Sequence, residues 1–284
     1  MSILHSGLQL AVREYAIPIN TVSDLLPNSK RGVYYISQDN YLICLYDGLP
    51  PTLKLYCDSA TSCVVVIVVG KDKNGKDIMA ISHLSRPGRF QSFFDIVSKV
   101  FKGDIKVYAH GANPADPIPN KGALDYTAFR NASIVVKWVL DNKIPIINSA
   151  GESILQIIQS SLCFGQGNPA VYSNNLDCYG IQTKDAGVDN NREWLADVER
   201  DETGGLQTLF CIFGNADMVR PQSIEFPKDE IDLLVQAAKA ANFDEAATMT
   251  DEQILTKYSS TPQFEVPWFC DTIRTTGKYV KNLV

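Results

Sequence analysis

The fold turns on residues 61–84, which read TSCVVVIVV at 61–69, KDKNGKD at 71–77 and IMAISHL at 78–84. Two β-branched, apolar runs around an Asn-Gly pair are the strongest short-range signal for a β-hairpin. The register follows from the turn. A two-residue Asn74-Gly75 turn sets Cys63 opposite Arg86 and sends His83 to the other face of the sheet. A three-residue loop, Lys73-Asn74-Gly75 with Gly75 left-handed as a bulge, sets Cys63 opposite Ser85. His83 then lies diagonal to Cys63 on the same face, roughly 7 to 8 Å away between backbones. Side chains can close that distance, and a thiol beside an imidazole is the composition of a cysteine nucleophile with its base. A cysteine next to VVVIVV is equally the pattern of a small buried core residue.

Outward from the hairpin, Gly32 to Ser37 and Tyr41 to Tyr46 read as strands. Phe93 to Phe101 carries apolar residues at helical spacing, and a β-rich IKVYAH at 105–110 precedes a proline-rich loop around 114–119. Tyr126 to Asn142 has Phe129, Ile134, Val135, Trp138 and Val139 at a helical period, and IPIIN at 144–148 follows as a short strand. Strand, helix, strand in that order implies an α/β arrangement.

Past residue 150 the pattern loosens. A helix at Ser153 to Leu162 leads into a stretch rich in Asn, Asp and Gly, so 151–205 reads as an insertion. Leu206 to Phe213 reads as a further strand. Pro227 to Asn242 is an amphipathic helix with proline and acids at its start, and Thr250 and Gln253 have capping-box spacing. The expected division is an α/β domain over 1–220, with its core at about 55–150, and a helical C-terminal appendage over 221–284.

The composition narrows the function. Of 284 residues, 45% are hydrophobic and 20% charged, as in ordinary globular chains. Lys plus Arg number 26 against 32 acids, a net charge of −6 that argues against nucleic acid as a partner. The longest unbroken apolar run, Cys63 to Val69, falls far short of the roughly 20 residues of a membrane span. The opening MSILHSGLQLAVREY lacks the basic flank and cleavage site of a secretory signal, and the 7 cysteines are odd in number with no CxxC pair. A reducing, cytoplasmic setting is expected, either the cell's own cytosol or that of a host receiving the protein as an effector. No cofactor is expected: Gly165-Gln166-Gly167 lacks the third glycine of a dinucleotide loop, and the spacing of Cys57, Cys63, His83 and His110 matches no common zinc pattern.

Several separated motifs occur together in one order: Ser62-Cys63, His83-Leu84-Ser85-Arg86-Pro87, Gly111-Ala112 after IKVYAH, Arg130-Asn131 opening a helix, and Thr203-Gly204-Gly205. In this the chain resembles the CheD family, the chemoreceptor glutamine deamidases, over about residues 55–150 and again near 200–213. The resemblance implies a layered sheet with packed helices. It also implies a protein-glutamine deamidase, in which Cys63 attacks a glutamine carboxamide of a partner protein and His83 passes its proton to the departing ammonia. The family's glycines before Ser-Cys are replaced here by Asp58-Ser59-Ala60-Thr61, and its catalytic threonine, six residues before the cysteine, falls on Cys57. A hydroxyl nearby, Thr61 or Ser59, is expected in that role instead, with Thr61 orienting His83 or binding the amide. Ser62, Arg86 and His110 are expected to line the substrate cleft. The same dyad also suits a peptidase or a transglutaminase, and a chain that keeps the fold without the third residue would be a protein-binding module.

Overall fold

The computed structural model describes residues 33–45, 54–57, 60–112, 118–120, 123–144, 146 and 147, 179–182, 188 and 189, 205–222 and 226–283. The chain opens with β1 (Val33–Tyr35), β2 (Asn40–Leu45) and β3 (Lys54–Cys57), followed by the hairpin β4 (Val64–Asp72) and β5 (Asp77–Leu84). Helix α1 (Pro87–Val100) leads directly into β6 (Phe101–Gly111), and then come β7 (Ile118–Asn120), β8 (Ala123–Asp125), α2 (Thr127–Asp141) and β9 (Ile146–Ile147). Strands β10 (Tyr179–Gln182) and β11 (Val188–Asp189) precede α3 (Leu206–Phe213) and β12 (Arg220–Pro221). Helices α4 (Lys228–Ala240), α5 (Asp251–Tyr258) and α6 (Phe269–Asn282) end the chain, with short 3-10 turns at Phe243–Thr248 and Pro262–Phe264. The fold is mixed α/β, and among the described residues no helix is long and apolar enough to cross a membrane.

The main sheet has the order β12-β2-β5-β4-β6-β9, with the hairpin at its centre. Alternation along β4 sends its residues into two separate cores, which is why the run is apolar throughout. Val64, Val66 and Val68 join Ile78, Ala80 and Leu84 beneath Phe90, Phe93, Phe94 and Val97 of α1 and Val135 and Val139 of α2. Phe94 and Trp138 stack at 4.1 Å between ring centres, which seats the two helices side by side. Val65, Ile67 and Val69 face the other way with Met79 and Ile81, against Ile36, Leu55 and Cys57. That second layer is a sheet of order β1-β3-β10-β11.

Leu206–Phe213 is a helix, contrary to the strand expected from its apolar run. It packs with the C-terminal helices, where Leu209 and Phe210 share a core with Leu234, Phe243, Ile254 and Ile273. The other long elements fall close to where periodicity placed them. The Thr250 capping box is formed, with Gln253 N–H donating to the Thr250 hydroxyl and Thr250 N–H to the Gln253 side chain. The helix expected at Ser153 to Leu162 lies outside the described residues.

Two buried ion pairs join the helical end to the sheet. Arg89 of α1 meets Asp39 just before β2, both fully buried, and reaches on to the Phe210 carbonyl at 3.3 Å. Arg220 in β12 meets Glu230 of α4 at 3.1 Å.

Candidate functional site

The turn of the central hairpin decides what stands near Cys63. Asp72 N–H donates to the Lys76 carbonyl and Gly75 N–H to the Asp72 carbonyl, closing a loop of Lys73, Asn74 and Gly75. Gly75 is left-handed at φ 79, and the Asp72 carboxylate accepts the backbone N–H groups of Asn74 and Lys76. This is the three-residue loop. Its ladder runs from Lys71 opposite Asp77 to Val64 opposite Leu84, with Val65 opposite His83. One step further sets Cys63 opposite Ser85, so Cys63 and His83 share the face that looks toward the second sheet.

His110 of β6 also lies opposite Val65, so two buried histidines flank one residue on this face, two strand spacings or roughly 10 Å apart. Cys63 sits one pleat along from Val65, diagonal to both. The structure thus brings Cys63, His83 and His110 to one end of the interlayer space.

His83 is 2% exposed. Its Nδ1 lies 2.9 Å from Sγ of Cys57, a fully buried residue that ends β3. The contact crosses from one sheet to the other. It is Cys57 and not Thr61 that meets this nitrogen. Thr61 is buried in the bend before β4, beside Ser62.

The backbone around Cys63 is tightly held. Its carbonyl accepts Ala112 N–H at 2.7 Å. Gly111 has φ 118, and a Cβ there would stand 2.3 Å from the Cys63 carbonyl oxygen, so glycine is demanded both by conformation and by close approach. Asn131 on α2 donates through Nδ2 to the Ser62 carbonyl at 2.9 Å and the Ser85 carbonyl at 3.0 Å. It joins the two chains where the β4–β5 ladder has ended. These contacts give a physical reason for Gly111 and for Asn131.

The electrostatics hold Cys63 as a thiol. Burial pushes its pKa well above the ordinary value, the charges of Asp39, Glu265 and Cys211 add to that, and Arg86 opposes it. A resting thiolate is therefore not the state of this site. Arg86, expected at the substrate cleft, caps α1 and donates to the Cys211 carbonyl at 2.6 Å. Arg89 is buried against Asp39 and has no access to an acidic partner surface.

Asp39, Cys211 and Glu265 were not legible as site residues. They come from three distant parts of the chain, and only the tertiary fold brings them to Cys63. Among the described residues no three His, Cys, Asp or Glu side chains converge to hold a metal ion. No protein-family model matches the chain, and no curated protein is significantly similar to it.

Proposed function

We propose that this protein is a cysteine-dependent amidohydrolase that converts a glutamine side chain of a partner protein to glutamate, as its resemblance to the CheD family implies. The observation that carries the reading is the Cys57–His83 contact, because it holds the His83 ring while Cys63 shares its face. A hydrogen bond on one ring nitrogen fixes the orientation of an imidazole that moves a proton.

Since Cys63 rests as a thiol, His83 acts as general base during attack and not as the partner of a preformed thiolate. The sulfur bonds to the carboxamide carbon as its proton passes to His83. The C–N bond then breaks, and ammonia leaves with that proton. Water, deprotonated by the same imidazole, hydrolyses the thioester and leaves a carboxylate on the partner. No metal, redox group or organic cofactor enters these steps.

The test is mass spectrometry of cytosolic protein extracts incubated with wild type, Cys63→Ala and His83→Ala, read as glutamine-to-glutamate conversion. Sites converted by wild type alone support the reading. Conversion that persists in Cys63→Ala, or none at all, rejects it. The second outcome favours a protein-binding module with the same architecture, a reading supported by the raised Cys63 pKa.

A further inference from the structure

The C-terminal appendage reaches the residue next to Cys63. Ser260 Oγ lies 3.3 Å from Ser62 Oγ, which puts the segment between α5 and α6 against the residue preceding Cys63. Glu265 belongs to the same segment. Its Oε1 accepts the hydroxyls of Ser259 and Thr261, two buried residues, and Thr261 N–H in turn donates to Ser259 Oγ at 2.9 Å. The carboxylate is thus anchored on one oxygen. Among the described residues its other oxygen has no hydrogen-bond partner, and no cation pairs with it.

Of the other charges near Cys63, Asp39 is ion-paired and Arg86 keeps its positive charge. Asp39 is spent on Arg89 and on the hydroxyl and backbone N–H of Ser85. Arg86 is engaged by the Cys211 carbonyl. Among the described residues Glu265 is the carboxylate near the thiol that no cation pairs, and it acts from the appendage and not from the α/β layers.

We propose that Glu265 is a specificity-determining residue of this site, selecting a neutral primary carboxamide over a carboxylate. Its unengaged oxygen accepts a hydrogen bond from the amide nitrogen of an incoming glutamine. After the C–N bond breaks and water supplies the new oxygen, the product carries a negative charge that Glu265 repels. Binding of substrate and expulsion of product then depend on the same group, which gives the C-terminal segment a role in chemistry as well as in packing. This inference rests on Cys63 being the reacting thiol of the proposed function.

Two small alkylating agents test it without knowledge of the partner protein. Iodoacetamide carries a primary carboxamide and iodoacetate a carboxylate, and both label Cys63 at sulfur. The rate ratio of the two at about pH 7.5 is read by mass spectrometry of the Cys63 peptide and divided by the ratio for the unfolded chain. Wild type is expected to favour iodoacetamide by roughly tenfold, the order of effect for like charges several Å apart near a protein surface. Glu265→Gln, in which the Ser259 and Thr261 hydroxyls keep an acceptor, should lower the ratio several-fold from that of wild type. Glu265→Asp should retain a preference.

A wild-type ratio equal to the unfolded one overturns the proposal without any variant, and so does an unchanged ratio in Glu265→Gln. Glutamine conversion with no charge selection would leave the deamidase and remove Glu265. Charge selection with no glutamine conversion would do the reverse. A Cys63 that reacts with neither reagent in the folded protein would remove both.

Discussion

Sγ of Cys57 and Nδ1 of His83 stand 2.9 Å apart in the space between two sheets, each residue buried and each held by a different layer. The distance between the sheets therefore enters the geometry of the histidine. Replacing Cys57 with Ala removes both a hydrogen-bonding group and packing volume, at an expected cost of about 1–3 kcal/mol. Cys57→Ser or Cys57→Thr retains a hydroxyl for Nδ1. Urea denaturation should show the loss in Cys57→Ala, and glutamine conversion should fall in that variant and survive in one of the hydroxyl variants. Equal activity in all three would remove Cys57 from the positioning of His83.

Gly111 bears directly on the Cys63 backbone. A methyl group at this position would collide with the carbonyl oxygens of Cys63 and Ala60 in a conformation that side chains rarely adopt. Gly111→Ala should destabilise the protein by about 2–4 kcal/mol and displace the Ser62–Cys63 bend. Gly103 is the control: it also has positive φ, at 75, but a Cβ there meets nothing within 4 Å. Gly103→Ala is expected to cost about 1 kcal/mol and to leave Cys63 labelling unchanged. Similar losses in both variants, measured by urea titration, would mean that the close approach is relieved cheaply.

The local parts of this architecture were legible because local rules decide them. Asn74-Gly75 marks the hairpin, loop length specifies the register, and the three-residue loop carries Cys63 and His83 to one face. The sequence left two registers open, since Asn-Gly serves both turn types; the Asp72 side chain, which takes the N–H groups of Asn74 and Lys76, accompanies the longer loop. Leu206–Phe213 reads as a strand because the five consecutive apolar residues Leu209 to Phe213 have no telling period, and packing against α4 and α6 makes the segment helical. The contact of Cys57 with His83 crosses between sheets and follows from no spacing rule. Glu265 and Asp39 lie 202 and 24 residues from Cys63 along the chain, and nothing in their own neighbourhoods marks them.

Asp39 and Arg89 form a pair with no exposure on either side chain. Removing one partner leaves an uncompensated buried charge, so Arg89→Met should cost about 3–5 kcal/mol. The double variant Asp39→Asn with Arg89→Met removes both charges and should recover part of that loss. Arg89 also lies over the Phe210 ring at 4.9 Å and reaches the Phe210 carbonyl, so the single variant should loosen α3 as well. Hydrogen exchange of 206–213 would report this. A double variant no more stable than Arg89→Met alone would show that the pair's charge is not what makes it costly to break.

Alkaline pH should unfold the protein through its cysteines. Burial raises the Cys63 pKa well above 9.0 and that of Cys211 to about 12, while in the unfolded chain both return to the ordinary range near 9.0. Above that pH the unfolded state has lost protons that the folded state keeps, so stability falls as pH rises through the window up to the folded pKa. Each thiol contributes a slope of up to about 1.4 kcal/mol per pH unit within its window and nothing below it. Cys63→Ser and Cys211→Ser should each flatten the decline above pH 9 in a series of urea titrations, and the double variant should flatten it most. The neutral-pH stability of the variants changes by whatever packing they lose, which is why the slope and not the midpoint is the readout. A wild-type slope that both substitutions leave intact would mean that these thiols ionise in the folded protein as readily as in the unfolded chain, and the picture of a protonated Cys63 awaiting its base would have to be given up.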